Sequence, residues 1–483
     1  MLKKFKVDLV VFTIVYFKLF YLEKRKRRIK VKSIFREYDI RGIFKEELNE
    51  NIVKKIGYFL GLKSDKEYVL ISWDARTHSP ILASWLISGL NKTGKKVIIA
   101  DMLPTGTNYF GNFDKLCLDG IGEVEVGLGI QITGSHNPPQ YNGFKITLDK
   151  KPFFSDDIYC LGDEILNSEI KIEDNDKAIK YDLKSQYIKY IVNQFSHLKG
   201  FEKKVVFDCG NGVAGVVLRD ILEKLNIKNI KILFEEPDGT FPNHHPDPSD
   251  EKNLAIIKKE LQGEFEYGFA YDGDADRIAF LDKKYNYKGD ILALFFAKNI
   301  PNPTIISEVK ASQMMYDEIN KFGTAIMYKT GHSNLKVKIA QLKADLAAEV
   351  SGHIFFADRY FGVDDAIYAT FRIIELIEKG FIFDREFEKL PKVYNTPEIT
   401  INTTEEKKFK IIDDLKIKLQ NVDDSFPKIR DIIDIDGVRV VFENGWGLVR
   451  ASNTTPKLVT RFEAQDEKTA LYYQEKLLEL LND

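Results

Sequence analysis

The sequence predicts an α/β protein: three similar α/β domains with mixed sheets, then a smaller α+β domain, arranged around a central cleft. Three observations carry this. At 483 residues with 44% hydrophobic content, the chain is too long for one core but ordinary for several. From Ser33 to about residue 390, apolar β-branched runs alternate with helical patterns in three successive units of similar size. Beyond Pro391 the rhythm changes to hairpins and two helices.

The leader, residues 1–32, stands apart. Leu9 to Phe17 is apolar except for Thr13, and Lys24 to Arg28 is a basic run. A spanning helix needs about 20 mostly apolar residues, more than residues 5–22 offer with Lys6, Asp8 and Lys18 among them. No small-residue cleavage site follows. Three readings stay open: a weak membrane anchor, a flexible leader, or an over-long start, with Val31 as the true initiator. The last two are favoured together.

The first unit, residues 33–180, opens on FREYDIRG (35–42). Two arginines around a tyrosine beside a Gly turn could grip phosphate in forked geometry, but for this stretch alone solvated surface groups are the favoured reading. YVLISWD (68–74) and KVIIADM (96–102) read as strands, with a helix from Ser79-Pro80 to Gly94 between them. In GIQITGSHNPPQYNGFKI (129–146) an apolar strand breaks on Gly134 and turns on Asn137-Pro138-Pro139. That exposes Ser135 on a loop among His136, Asn137 and Lys145, in a setting that suits a nucleophile carrying a phosphoryl group. A polar turn is the competing reading.

The second unit, 181–282, has strands in KKVVFDCGNGVAG (203–215) and IKILFEE (230–236). The first ends in a Gly-rich turn without GxGxxG spacing or a Walker lysine, so it is read as a tight strand–helix connection. His244-His245 lies in a Pro-rich loop and is read as loop structure. EYGFAYDGDADRIAFLD (266–282) runs strand, acidic turn, strand. Asp272, Asp274 and Asp276 would repel one another without a cation between them, and oxygen-only ligands suit Mg²⁺ or a similar hard ion. Arg277 and Lys283 stand where an EF-hand needs Gly and Glu.

The third unit, 283–390, runs from strand to helix at IISEVKASQ (305–313) and at AIMYKTGHSNLK (325–336). LAAEVSGHIFF (346–356) reads as one strand with polar residues at its centre. Glu349 and Ser351 would then share a face toward adjacent sugar hydroxyls, with His353 continuing it as a proton carrier. His332 is a weaker candidate for the same task. DDAIYATFRIIELIEKG (364–380) is an amphipathic helix closed by Gly380. A linker is expected around 388–396.

The last unit, 391–483, has strands at 398–401, 447–452 and 458–464 and a hairpin turning at Asp436-Gly437. Helices are expected over 405–420 and about 466–481. Arg450-Ala451-Ser452-Asn453-Thr454-Thr455 offers a guanidinium, hydrogen-bonding side chains and turn amides to a phosphate dianion.

Lys+Arg 71 against Asp+Glu 73 gives a net charge of −2, so nothing points to nucleic acid. Cys117, Cys160 and Cys209, without a CxxC, fit a reducing cytoplasm and argue against a disulfide framework.

At TGSHNP, DGDADR, EVSGH and RASNTTP together, the sequence resembles the α-D-phosphohexomutase superfamily over about residues 33 to 465. FREYDIRG, KTGHS and NGFK fit as well. The resemblance implies a reversible exchange of hexose 1-phosphate and hexose 6-phosphate, for mannose and glucose, through a 1,6-bisphosphosugar. It implies Ser135 as the phosphoserine, with His136, Lys145, Arg277 and His353 around the chemistry. Asp272, Asp274 and Asp276, with Ser135, would hold one Mg²⁺. Substrate would be held by Tyr38, Arg41, Lys310, His332, Glu349, Ser351, Arg450, Ser452, Asn453, Thr454 and Thr455. Glucose 1,6-bisphosphate is the expected activator, phosphosugars are the expected partners, and a cytoplasmic monomer is the expected state. There are departures: Ala348 replaces the usual glycine before Glu349, and the leader is extra. Asn453-Thr454-Thr455 differs from the Gly-Thr-Glu of the phosphoglucosamine branch, which remains the alternative. A phosphosugar-binding protein without turnover and a phosphatase are the rivals from other classes.

Overall fold

The computed structural model describes residues 32–453 and 455–482. Residues 1–31, which hold the apolar and basic leader, and Thr454 lie outside the described residues. Among the described residues no helix is long and apolar enough to cross a membrane.

Three mixed sheets follow one plan. In the first, Tyr68–Trp73 lies between Lys96–Met102 and Val126–Ile132, all parallel. Tyr141–Leu148 then adds antiparallel to Val126–Ile132. The second sheet repeats this with Val205–Asp208 between Ile230–Leu233 and Tyr267–Tyr271, then antiparallel Ile278–Asp282. The third does so with Thr304–Glu308 between Thr324–Tyr328 and Leu346–Ala348, then antiparallel Ile354–Phe356. In each repeat a tight connection therefore joins the third and fourth strands at the carboxyl end of the parallel trio, where ligands of open α/β sheets bind.

This plan corrects one expectation. LAAEVSGHIFF is a hairpin, not a single strand. Glu349 to His353 forms the turn, closed by Glu349 N–H to the His353 carbonyl (2.9 Å) and Gly352 N–H to the Glu349 carbonyl (3.0 Å). The polar run that looked like a strand centre is the loop that the repeat demands. Gly352 sits at φ +101, and a Cβ there would lie 2.3 Å from the Ile278 carbonyl, so the turn packs directly on the second domain.

The last domain is a six-stranded antiparallel sheet backed by helices Glu405–Leu419 and Glu467–Asn482. The expected linker is partly structured: Tyr394–Asn395 pairs with Lys457–Ala464 inside this sheet.

The first three domains share an apolar core. Phe110, Tyr187, Phe295 and Phe371 are buried in one cluster, although they belong to helices of all three. Asp365 pins this junction: it caps helix Ala366–Glu378 through Tyr368 N–H (2.9 Å) and accepts from the hydroxyls of Tyr187 and Tyr360 (both 2.8 Å).

Candidate active site

Ser135 leaves the strand Val126–Ile132 in the left-handed region, at φ 47. A non-glycine residue pays roughly 1–2 kcal/mol for this, so the loop needs support. Arg76 provides it from a fully buried position. Its Nη2 donates to the carbonyls of Ser135 (2.9 Å) and Asn137 (2.6 Å), its Nη1 to those of Pro138 (2.7 Å) and Tyr141 (3.0 Å), and its Nε to Asp74 Oδ2 (3.0 Å). All five guanidinium N–H groups are thus used. Asp74 Oδ2 in turn accepts from Thr133 Oγ1 and Gly134 N–H, both at 2.9 Å.

The serine hydroxyl faces the second domain. Ser135 Oγ donates to Asp272 Oδ2 at 3.0 Å and lies 3.1 Å from His136 Nδ1. Burial, then the charge of Arg277, holds His136 well below its ordinary pKa, so the imidazole is neutral. Asp272 Oδ1 accepts the N–H groups of Asp276 and Arg277 (both 3.1 Å), which folds the acidic loop back on itself.

Asp272, Asp274 and Asp276 are fully buried, with ligand-capable oxygens all within 4.8 Å of one another. Asp274 Oδ1 and Asp276 Oδ1 have no hydrogen-bond partner. Burial, then the charges of Asp274 and Asp276, pushes Asp272 well above the carboxylate range. Burial works against Asp274 too, but the Lys145 ammonium and Thr105 hydroxyl outweigh it and hold it far below that range. Orphaned carboxylate oxygens under such strain fit a hard cation.

The third domain adds its turn. Glu349 Oε1 accepts Gly331 N–H at 2.6 Å. Glu308, fully buried beneath, accepts Val350 N–H at 2.9 Å; burial pushes its carboxyl up to about 7 despite Lys310 nearby. Lys310 Nζ lies 2.9 Å from Glu398 Oε1 and 3.6 Å from Glu308 Oε2. His353 is buried behind the turn, and its Nε2 accepts from Arg277 Nε at 2.9 Å. His332 stacks on it at 5.7 Å.

The last domain closes over these groups. Arg450 pairs with Asp436 (Nε–Oδ2 3.1 Å), which also accepts Thr330 N–H at 3.0 Å. Asn453 Nδ2 donates to the Tyr38 hydroxyl at 2.5 Å, and that hydroxyl donates to the Thr330 carbonyl at 2.8 Å. Ser452 Oγ accepts from Thr455 N–H and Oγ1 (3.2 and 2.9 Å). Arg41 contacts Asp39 and reaches Asn137 Oδ1 at 3.4 Å.

One cleft of about 1680 Å³ receives all four domains. Every residue expected above as catalytic or substrate-binding lines it, except Thr454, which lies outside the described residues. The acidic triplet sits beneath its floor. The sequence reading missed Arg76, Glu308, Lys336, Asp364 and Asp436. Arg76 stands two residues after the strand-ending Asp74, which was a readable signal for a turn anchor. The others act through contacts between distant segments.

A serine, a buried acidic triad and arginine and lysine side chains from four domains meet at one cleft, a set suited to phosphoryl groups. Four models of the phosphoglucomutase/phosphomannomutase family match in order: alpha/beta/alpha domain I over 32–159, domain II over 185–288, domain III over 288–394 and the C-terminal domain over 398–480. The phosphomannomutase/phosphoglucomutase of Pseudomonas aeruginosa is 38% identical over 453 residues, covering 90% of this chain and 92% of that protein. The phosphoglucomutase of Neisseria meningitidis serogroup A is 35% identical over 448 residues (90% and 94%). The crystal structure of a phosphoglucomutase/phosphomannomutase family protein from Burkholderia thailandensis superposes with a TM-score of 0.85 at 34% identity, covering 93% of this chain and 97% of that one. The chain belongs to the phosphoglucomutase/phosphomannomutase family, within the α-D-phosphohexomutase superfamily.

Proposed function

We propose that this enzyme interconverts the 1-phosphates and 6-phosphates of glucose and mannose through phospho-Ser135 and a 1,6-bisphosphosugar. The observation that carries the reading is the 3.0 Å contact of Ser135 Oγ with Asp272 across two domains. There the hydroxyl meets a buried nest of three carboxylates with one lysine among them.

The free sugar hydroxyl attacks phosphorus and the bond from phosphorus to Ser135 Oγ breaks; the hydroxyl proton passes to a base, and Ser135 Oγ takes up one proton as it departs. The bisphosphosugar turns over in the cleft. The phosphate at the other end then returns to Ser135 Oγ, whose proton is given to the departing sugar oxygen. Glu349 and Ser351 bind sugar hydroxyls, while Arg450, Ser452, Asn453, Thr454 and Thr455 bind the non-reacting phosphate. Tyr38, Arg41, Lys310 and His332 complete the walls. Positioning and charge stabilisation supply most of the acceleration.

Asp272, Asp274 and Asp276, with an oxygen on Ser135, would hold one Mg²⁺, which when bound supplies positive charge to the phosphoryl oxygens. Lys145 is held protonated: burial works against its charge, but Asp274 and Asp276 outweigh that and hold its pKa well above the usual lysine range. It therefore serves as a cation, which leaves His353 as the base, with His136 and Arg277 flanking the phosphoryl group. Glucose 1,6-bisphosphate is the primer. One chain supplies every group of the cleft, so a monomer suffices, and its free cysteines suit the cytoplasm.

The test is Ser135→Ala with glucose 1-phosphate and mannose 1-phosphate. Interconversion should vanish for both, together with the phosphoryl mass increment seen after priming with glucose 1,6-bisphosphate. Near-normal turnover would sink the covalent route, and phosphate release without isomer formation would mark a phosphatase.

A further inference from the structure

Behind the cleft wall a buried chain of groups runs from Arg277 to Tyr109. His353 Nε2 accepts from Arg277 Nε at 2.9 Å. Arginine has no acceptor, so this bond places the lone pair of the neutral imidazole on Nε2 and its proton on Nδ1. Nδ1 has two oxygens near it: Asp364 Oδ2 at 3.0 Å and Asp276 Oδ1 at 3.7 Å. The Asp364 contact is within hydrogen-bond distance but off the ideal line. Such bonds are commonly misaligned until substrate is bound. The other oxygen of Asp364 lies 2.7 Å from Lys336 Nζ. Lys336 Nζ donates to the Tyr109 hydroxyl at 2.7 Å and sits 4.0 Å from that ring's centre. Asp364 is fully buried, and Lys336 is 8% exposed.

We infer that Asp364, braced by Lys336, is a positioning residue: it faces the proton of His353 on Nδ1 and, with Arg277 on the other side of the ring, keeps the lone pair on Nε2, where the sugar hydroxyl takes the place of the Arg277 bond to give up its proton. This rests on the mutase reading, in which His353 handles the sugar hydroxyl proton. A histidine held in the other tautomer presents N–H where a lone pair is needed and cannot take a proton there. Lys336 keeps the Asp364 oxygens charged, so the carboxylate accepts and does not donate.

Asp276, His353 and Asp364 also have ligand atoms clustered closely enough for a cation. The Arg277 bond argues against that alternative. A cation on Nδ1 would need a second lone pair on an imidazole whose Nε2 already accepts a hydrogen bond, and Lys336 and Lys145 already meet the two carboxylates.

The experiment uses the full chain with Mg²⁺ and ¹⁵N-labelled histidine, above the pH at which the imidazoles titrate. His353 signals are assigned by their loss in His353→Gln. The wild type should show His353 protonated on Nδ1. In Asp364→Asn the amide nitrogen can compete with Arg277 for the single lone pair, so the share of His353 protonated on Nε2 should rise above that of the wild type. The kcat for glucose 1-phosphate should then fall about 100-fold or more, as for loss of general-base catalysis, with KM within about threefold. A fall in kcat with the tautomer unchanged, or unchanged kcat, overturns the inference. If Asp364→Asn does not fold, the wild-type spectrum decides, because an Nε2 proton there is fatal to it. Absence of mutase activity in the wild type would instead strike the parent reading, and the tautomer readout is independent of that.

Discussion

Lys145 Nζ, on the fourth strand of the first domain's repeat, lies 2.7 Å from Asp274 Oδ2 and also contacts Asp276, both in the second domain. The lysine side chain is only 5% exposed, so three clustered carboxylates and one lysine share a buried site. Removing one partner of such a buried set costs about 3–5 kcal/mol because it strands the other charges. Lys145→Met should therefore lower the melting temperature measured in chelator, and added Mg²⁺ should recover more of it than in the wild type. At saturating Mg²⁺ the kcat should still be reduced by about 100-fold, the scale of losing one preorganised electrostatic partner. Equal Mg²⁺ stabilisation of both proteins would refute the shared site.

Arg76 makes a second prediction. Lysine keeps the charge but offers three donors where the guanidinium uses five, so at least two bonds of the serine loop or Asp74 are lost. At about 1–3 kcal/mol per buried group left unpaired, Arg76→Lys should cost roughly 2–6 kcal/mol in urea unfolding. Ser135 should also take up phosphoryl from glucose 1,6-bisphosphate more slowly, followed by intact mass. The loop's left-handed serine is held by these bonds, so a fully stable Arg76→Lys with normal phosphorylation would show that the strand ends suffice.

The same residue shows what a sequence reveals and what it hides. The three α/β units were legible because β-branched runs and helical periods alternate, and the four loops because each concentrates unusual chemistry in a few adjacent residues. Glu349 to His353 was misread as a strand because alternation of polar and apolar residues looks alike on a strand and across a two-armed hairpin. The equivalence of this turn with the Ser135 and Asp272–Asp276 loops emerges only when the sheets are aligned. Arg76 has one local clue, Asp74 two residues before it, but its other partners begin 59 residues away. Asp364 and Lys336 were missed for another reason: each is an ordinary charged residue in its own stretch, and its meaning comes from partners 11 and 28 residues away or more.

Glu308 yields a pH prediction. Burial raises its carboxyl from an ordinary value near 4.5 to about 7 in the folded protein. Between those values the folded state keeps a proton that the unfolded state has released. Stability therefore falls as pH rises from about 4.5 toward 7 and levels off above. In Glu308→Gln this contribution disappears. The pH slope of the unfolding free energy between pH 5 and 6.5 should be about one proton less negative than in the wild type. An unchanged slope would mean that Lys310, 3.6 Å away, keeps Glu308 ionised throughout.

The bond from Asn453 to the Tyr38 hydroxyl joins the last domain to the first across the mouth of the cleft. The same hydroxyl donates to the Thr330 carbonyl of the third domain, so one tyrosine ties three domains together beside the cleft. A single net hydrogen bond of this kind contributes about 1 kcal/mol. Asn453→Ala and Tyr38→Phe should each raise the KM for glucose 1-phosphate by roughly 5-fold, since closure that was prepaid must now be driven by substrate binding. If opening for bisphosphosugar reorientation limits turnover, kcat should stay level or rise in both. The decisive measurement is the double variant. Two residues acting through one contact are coupled, so the combined KM should stay near that of the worse single variant. Multiplied effects would show that Asn453 and Tyr38 bind substrate independently and that the contact does not hold the cleft closed.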